Sequence, residues 1–325
     1  MRELYLHIGY PKTGTTTFQD YLFPNHPEII DISPDIRPLE VLKKLHYSRE
    51  NSLLRDMGLN RNEIEAQTTI TNGKHILSEE SFLSYSMFFQ SFPRPQIFTP
   101  DPASTARKLK IMFLESGLFD SVKIIITIRR QEEMLKSMYA QMFNYSYKRY
   151  SETKNFSAFL DYVFKIGHNG FILDALHFLD IIQVYQKQFG EGNVKVLVFE
   201  QLKQDPTSFI KQLCDYLEID ATQAMTLLKN KRSNAKSGLD GYKSDTRSLV
   251  DYLAYYKRKY LGALKLDLST WPLVDRLRRI NVSGKVLKDI VLTGMDEKRI
   301  ADMFNESNRE LDTKLKLNMD QYGYY

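Results

Sequence analysis

Residues 7–19 read HIGYPKTGTTTFQ, and this stretch decides the fold. Just upstream, Leu4, Leu6 and Ile8 alternate with Tyr5 and His7, the two-residue period of a β-strand. From about Thr15 to Phe23 the spacing predicts a helix. A strand, a glycine-bearing loop and a helix N-terminus together make an anion cradle. The first-turn N–H groups have no carbonyl to bond within the helix, and the dipole favours negative charge there.

The stretch is a near-match to the phosphate-binding pattern G-x-x-x-x-G-K-[ST]. Gly9 and Gly14 have the right separation and Thr16 holds the Ser/Thr position, but Thr15 stands where the lysine belongs. The lysine has moved into the loop as Lys12. Gly14 lets the backbone approach a ligand closely. Thr13, Thr15 and Thr16 add hydroxyl donors, and Pro11 stiffens the entry to the loop.

Outward from the loop, strands alternate with helices. KHILSEE (74–80) predicts a short strand ending in polar residues. VKIIITIRR (122–130) is a continuous β-branched run, suited to a strand buried on both faces of a parallel sheet. VKVLVFE (194–200) predicts another strand, and Asp205-Pro206 begins a helix. Helices are predicted over 38–57, 106–115, 131–143, 156–164 and 173–189, with a proline-rich loop over 92–102. From about residue 230 strand signals fade and the pattern is mainly helical. The expectation is an α/β, three-layer fold: a central, mainly parallel sheet flanked by helices, with a helical C-terminal elaboration. No repeat or linker interrupts it, so residues 1–325 read as a single domain, with 238–295 as a variable, mainly helical part on the acceptor side.

Composition bounds the function. The 325 residues are 42% hydrophobic and 26% charged, which excludes wholesale disorder, collagen and a disulfide scaffold. Cys214 is the one cysteine, at a helical apolar spacing in FIKQLCDYL, so it reads as core. One thiol forms neither an intramolecular disulfide nor a cysteine-rich zinc site and suits a reducing compartment. There is no membrane-span-length apolar run and no signal-like start, so a cytoplasmic location is expected. The net charge is +5, but residues 229–288 carry 15 Lys+Arg against 5 Asp+Glu, leaving the remainder acidic. Tyr242, Tyr252, Tyr255, Tyr256 and Tyr260 interleave with that basic block.

The motif YPKTGTT resembles the 5′-phosphosulfate loop of sulfotransferases that use 3′-phosphoadenosine 5′-phosphosulfate (PAPS), the bacterial type in particular. The resemblance implies a P-loop-like sulfotransferase fold and a cytoplasmic bacterial enzyme. It gives Lys12 contact with the phosphosulfate and the leaving group, and gives Thr13, Gly14, Thr15 and Thr16 phosphate contacts. A second motif agrees. In IRRQEEMLKSMYAQ, Arg129 at a strand end is followed eight positions later by Ser137, with Tyr139 behind, which resembles the family's 3′-phosphate site. A guanidinium fork and a helix hydroxyl suit a dianionic phosphate. Arg130 is one short of that spacing. Arg232, Asn234, Lys236 and Ser237 in NKRSNAKSG lie where members place a loop over the 3′-phosphate, in an Asn-x-Ser form associated with bacterial members. The segment 194–219 and the tail 304–325 also resemble family scaffold.

Transfer to a hydroxyl needs a base. Glu80 ranks first, because Ser78-x-Glu80 resembles bacterial relatives at the correct end of a parallel sheet, and Glu79 second. His7 and His75 remain candidates, each read more readily as a core histidine. The implied chemistry is sulfuryl transfer from PAPS, releasing 3′-phosphoadenosine 5′-phosphate (PAP), with no metal required. The expected acceptor is a glycan, with a small alcohol, phenol or lipid as alternative. The basic segment 229–288 also suits an anionic membrane surface, and self-association stays open. Two other classes compete. A P-loop small-molecule kinase would want a lysine at position 15 and a metal-holding carboxylate such as Glu200. A nucleic-acid or anion binder would rest on the basic block alone, without any recognised motif. No nucleic-acid partner is expected.

Overall fold

The computed structural model describes residues 1–37, 39, 45, 48–83, 101–143, 151–166, 172–229, 231, 242–243, 247–248, 281–282, 286–287 and 290–325. Contacts divide the chain into two compact units. One comprises Met1–Met134, Val163–Ala235 and Gly294–Tyr325; the other comprises Leu135–Tyr162 and Lys236–Thr293.

The first unit is built on five strands: β1 (Arg2–His7), β2 (Ile30–Asp31), β3 (Gly73–Ser78), β4 (Ser121–Ile128) and β5 (Val194–Val198). Their order is β2-β3-β1-β4-β5, and every pairing is parallel. In register, His7 lies beside Ser78 on one side and Ile125 on the other. The ends of β1, β3 and β4 therefore converge at one edge, where an open parallel sheet binds ligands.

Helices run between the strands. In chain order they are α1 (Thr15–Thr17), which continues as a wider turn over Phe18–Leu22, α2 (Ser33–Ile36), α3 (Glu50–Arg55), α4 (Met57–Gln67) and α5 (Pro102–Lys110). Then come α6 (Gln131–Phe143), α7 (Phe156–Ile166), α8 (Phe178–Phe189), α9 (Phe199–Gln204), α10 (Pro206–Leu217), α11 (Ala221–Leu228) and α12 (Gly294–Leu315). Alternate strand residues point to opposite faces. Tyr5, Ile76, Ile125 and Leu197 share one face with Phe18, Phe209, Leu213, Leu217 and Leu228 from α10, α11 and the turn after α1. The other face meets α8, which also packs on α5 and α12. Cys214 is buried in the first of these layers, where burial pushes its thiol up to about 12, so it is core and unreactive.

Differences from the sequence reading are local. The predicted strand 194–200 stops at Val198, and Phe199 and Glu200 begin α9 instead. The apolar alternation runs on through Phe199, but the following residues turn into helix before Asp205 caps α10. The predicted helix over 38–57 contains α3, separated from α4 by Asp56, while much of its first half and most of the proline-rich loop lie outside the described residues. In the second unit, the carboxyl half of α6 packs Tyr139 against Phe156 and Phe159, and its hydroxyl donates to the Thr153 carbonyl. Of the segment 238–295, expected to be mainly helical, the described residues include two short antiparallel ladders, Tyr242–Lys243 with Val286–Leu287 and Arg247–Ser248 with Asn281–Val282, and most of the rest lies outside the described residues. Strands this short leave no periodic signature.

Candidate functional site

The loop after β1 keeps pairing with β4 beyond the end of the strand. The Ile8 and Tyr10 N–H groups donate to the Ile125 and Thr127 carbonyls at 3.1 and 2.8 Å, and Thr127 N–H donates to the Gly9 carbonyl at 2.7 Å. The chain then turns sharply. Lys12 has φ 65° and Gly14 φ 81°, both left-handed. At Gly14 that conformation needs glycine: a Cβ there would stand 3.1 Å from Leu202 and 3.2 Å from Phe199. The Thr15–Leu22 segment starts on this glycine, so the N–H groups of Thr15 and Thr16 point out of the turn without intrahelical partners.

The threonines divide their work. Thr13 is buried and its hydroxyl donates to the Tyr10 carbonyl, which ties the loop to itself. Thr15 donates its hydroxyl to the Glu80 carboxylate. Thr16 is half-buried, as is Lys12. The hydroxyls of Thr13 and Thr15 are thus committed inside the protein, while their backbone and Thr16 remain for an anion.

The end of β3 brings up the two glutamates. Glu79 N–H extends the ladder by donating to the His7 carbonyl at 2.9 Å. Its carboxylate accepts from Ser81 N–H at 2.9 Å and lies 3.6 Å from the Arg37 guanidinium, so it caps the following turn. Glu80 lies the other way, against the loop; a Cβ on Gly9 would stand 3.6 Å from the Glu80 Cα. Burial pushes the Glu80 carboxyl up to about 7, opposed by the Lys12 charge, aided by Glu79 and opposed again by Arg37. A carboxyl that titrates near neutrality beside a cationic loop suits a general base.

Both histidines are buried. His7 is buried, hydrogen-bonded through Nδ1 to Ser78 Oγ at 2.8 Å, and flanked by the Phe18 and Phe23 rings. Burial, and secondarily Arg37, push it down to about 4, so it stays neutral. His75 points to the opposite face, against Phe119, with Nδ1 at 3.3 Å from the Glu3 carbonyl; burial lowers it too.

Arg129 leaves β4 and crosses to the loop. Its Nη1 donates to the Lys12 carbonyl at 2.9 Å, its Nη2 to Glu133 at 3.2 Å, and the guanidinium lies 5.2 Å over the Phe199 ring. Its Nε is buried without a partner. Arg130 instead pairs with Glu132 at 3.0 Å. Ser137 is half-buried on α6, the helix that Arg129 leads into, but on the portion belonging to the second unit. Arg232, Asn234, Lys236 and Ser237 lie outside the described residues, as does most of the basic block. Glu200, the carboxylate that a metal-using kinase would need, has both oxygens engaged. Oε1 accepts from Arg130 N–H at 3.2 Å and Oε2 from the Tyr324 hydroxyl at 2.8 Å. Among the described residues no group of three acidic, histidine or cysteine side chains could hold a metal ion.

Sequence reasoning missed Arg37. Its Nε donates to the Ser78 carbonyl at 3.0 Å and its Nη2 to the same oxygen. The residue sits just beyond α2 in a stretch without a motif, and only folding carries it to the end of β3.

A family model described as "Sulfotransferase domain" matches residues 5–247. A search of curated proteins finds no match. Solved structures similar to the chain include a sulfotransferase from Alicyclobacillus acidocaldarius, at 15% identity and TM-score 0.41, covering 83% of this chain and 99% of that one. A mouse sulfotransferase complexed with PAP is 16% identical with TM-score 0.43, covering 98% and 89%. A sulfotransferase from Mycobacterium avium is 15% identical with TM-score 0.37, covering 82% and 78%.

Proposed function

The chain belongs to the sulfotransferase domain family, and from that membership we propose that it moves a sulfuryl group from PAPS to a hydroxyl acceptor. The observation that carries this reading is the bond from Arg129 to the Lys12 carbonyl. It links the two motifs, 117 residues apart in sequence, and so supports reading them as parts of one anion site. The residues fit such a donor: a left-handed glycine opens the loop, Lys12 is half-exposed, and the buried Nε of Arg129 lacks a partner.

The donor, when bound, supplies an activated sulfuryl group on a phosphate leaving group. Lys12 stabilises negative charge that develops at the bridging oxygen, as a fixed charge in a partly buried site does well. The loop backbone from Thr13 to Thr16 holds the phosphate. Glu80 takes the acceptor's proton at its carboxylate, with Glu79 as the weaker candidate because it caps a turn. Arg129 anchors the 3′-phosphate, with Ser137 and the Arg232–Ser237 loop as its further partners. No step of this scheme calls for a metal.

For the acceptor we favour a glycan over a small alcohol, phenol or lipid. Support comes from the basic, tyrosine-rich composition of 229–288, since aromatic faces pack on sugars and Lys/Arg meet carboxylates or sulfates. The same composition suits a peripheral contact with an anionic membrane; no helix among the described residues is long and apolar enough to cross one. A cytoplasmic, bacterial setting belongs to the same proposal.

Two measurements test it. Calorimetry should find PAP binding at micromolar or tighter Kd, and Arg129→Ala should weaken it by about 1.5–3 kcal/mol through a lost charge-assisted bond. Equal binding of ATP with Mg²⁺ would favour the kinase class instead. Transfer of radiolabelled sulfur from PAPS to a panel of glycans, alcohols, phenols and lipids, with mass spectrometry of the product, identifies the acceptor. Labelling only of small alcohols or phenols would overturn the glycan choice.

A further inference from the structure

Four buried polar residues close a ring of hydrogen bonds beside Arg129. Arg130 N–H donates to Glu200 Oε1 at 3.2 Å, and Glu200 Oε2 accepts from the Tyr324 hydroxyl at 2.8 Å. The Tyr324 carbonyl accepts from Asn308 Nδ2 at 2.9 Å. Asn308 and Gln131 then exchange amide bonds at 3.0 and 3.2 Å, which returns the ring to the residue after Arg130. Gln131, Glu200, Asn308 and Tyr324 are all buried. Tyr324 is therefore held at both ends, its main chain by α12 and its side chain by α9.

The ring is an expensive way to fill space. A buried carboxylate satisfied by neutral donors loses more hydration than an apolar side chain of the same size would. What it gains is geometry. Glu200 sits at the start of α6, a thirteen-residue helix, where a negative charge is favoured and a backbone N–H needs an acceptor. Gln131 is the first residue of that helix. Arg129 and Arg130 are the two residues between β4 and α6, so fixing Arg130 N–H and the Gln131 side chain fixes the point from which the Arg129 side chain springs. The residue next to Glu200, Phe199, touches both ends of the site: it lies under the Arg129 guanidinium and against the Gly14 position. Asn308 and Tyr324 lie beyond the stretch that the family model matches, which ends at residue 247.

We infer that Tyr324 and Glu200 are positioning residues for the donor site, holding the β4–α6 turn so that Arg129 meets the loop and the 3′-phosphate. The inference rests on the sulfuryl-donor reading. Neither residue touches the donor; both act through Arg129.

The test uses the full chain with Tyr324→Phe, Glu200→Leu and Glu200→Gln, and PAP as the probe. Tyr324→Phe should raise the Kd for PAP roughly tenfold, the scale of one lost hydrogen bond to a charged group. The KM for PAPS should rise with it, while kcat at saturating donor stays near wild type. Glu200→Leu should do more, and Glu200→Gln, which keeps an acceptor for Arg130 N–H, should recover most of the affinity. Tyr185→Phe removes a buried hydroxyl that has no hydrogen-bond partner; it controls for loss of a buried tyrosine oxygen and should leave the Kd unchanged. Amide hydrogen exchange without ligand should quicken at Arg130 and Gln131 in Tyr324→Phe but not at Ile125. A lowered Tm with unchanged Kd and unchanged exchange at those amides would overturn the positioning role. Should Glu200→Leu not fold, Tyr324→Phe carries the test, since it removes one oxygen and almost no volume. Wild-type protein that binds no PAP would overturn the donor reading, and the exchange measurement would still decide whether the ring holds the turn.

Discussion

The Thr15 hydroxyl donates to the Glu80 carboxylate, so the loop after β1 and the end of β3 are joined at the point where the chemistry is expected. A residue of the loop thereby aims the carboxylate that we propose as the base. The bond also explains why Glu80, and not its neighbour Glu79, faces the loop: Glu79 is turned toward Arg37 and the Ser81 N–H.

Glu80→Gln should lower turnover by about 10²–10⁴ while PAP affinity stays nearly unchanged. The carboxyl is pushed up to about 7, so the wild-type rate should rise with pH through that value, and the variant should lose this limb. The folded protein binds this proton more tightly than the unfolded chain. Stability should therefore fall as pH rises from about 4.5 to about 7, and the cost is fully present above that window. Denaturant melts across this range should show the fall in wild type and a flatter course in Glu80→Gln. A rate limb that survives in Glu80→Gln would remove Glu80 as the base and direct attention to Glu79.

Lys12→Ala should lose about 10²–10³ in rate, the cost of one transition-state contact, with the fold intact because the side chain is half-exposed. Removing its charge also removes the largest force that holds the Glu80 carboxyl down, so the remaining pH limb should move up. Lys12 has φ 65°, and Lys12→Gly relieves that backbone conformation. Loss of rate in Lys12→Gly together with equal or higher Tm would separate the role of the charge from the loop's shape. Wild-type turnover in either variant would end the assignment.

Gly14→Ala should destabilise the protein by about 1–3 kcal/mol and weaken PAP binding. The left-handed φ of 81° disfavours a side chain, and the new Cβ would crowd Leu202 and Phe199. Thermal denaturation and calorimetry measure the two effects. An unchanged Tm would mean that the loop relaxes out of this conformation.

His7 should matter to acid stability and not to the rate limb. Its folded-state value, about 4, lies below the ordinary 6.5, so the stability it protects is present above about 6.5 and is lost as pH falls toward about 4. Replacing it with Gln, which keeps a partner for Ser78, should flatten that loss. NMR titration of the ring reads the value directly, and a midpoint near 6.5 would contradict the buried neutral imidazole.

The strand, loop and helix around Lys12, and the run that ends at Arg129, were legible in the sequence, because alternation, glycine spacing and β-branched runs are local properties of a chain. The parallel α/β order followed from the same signals. Other features of the site were not legible. Glu79 and Glu80 are adjacent in sequence, and only the register of β3 beside β1 and the donors waiting there separate a capping carboxylate from one pushed toward neutrality. Glu200 read as the end of a strand and a candidate metal carboxylate; folding turns it into an acceptor for Arg130 and Tyr324. Arg37 carried no motif and arrives at Ser78 through a contact 41 residues away. Sequence fixes which groups a chain owns and the local shape of its backbone. Burial and partnership, which set a group's charge state and direction, depend on residues that meet only when the sheet assembles.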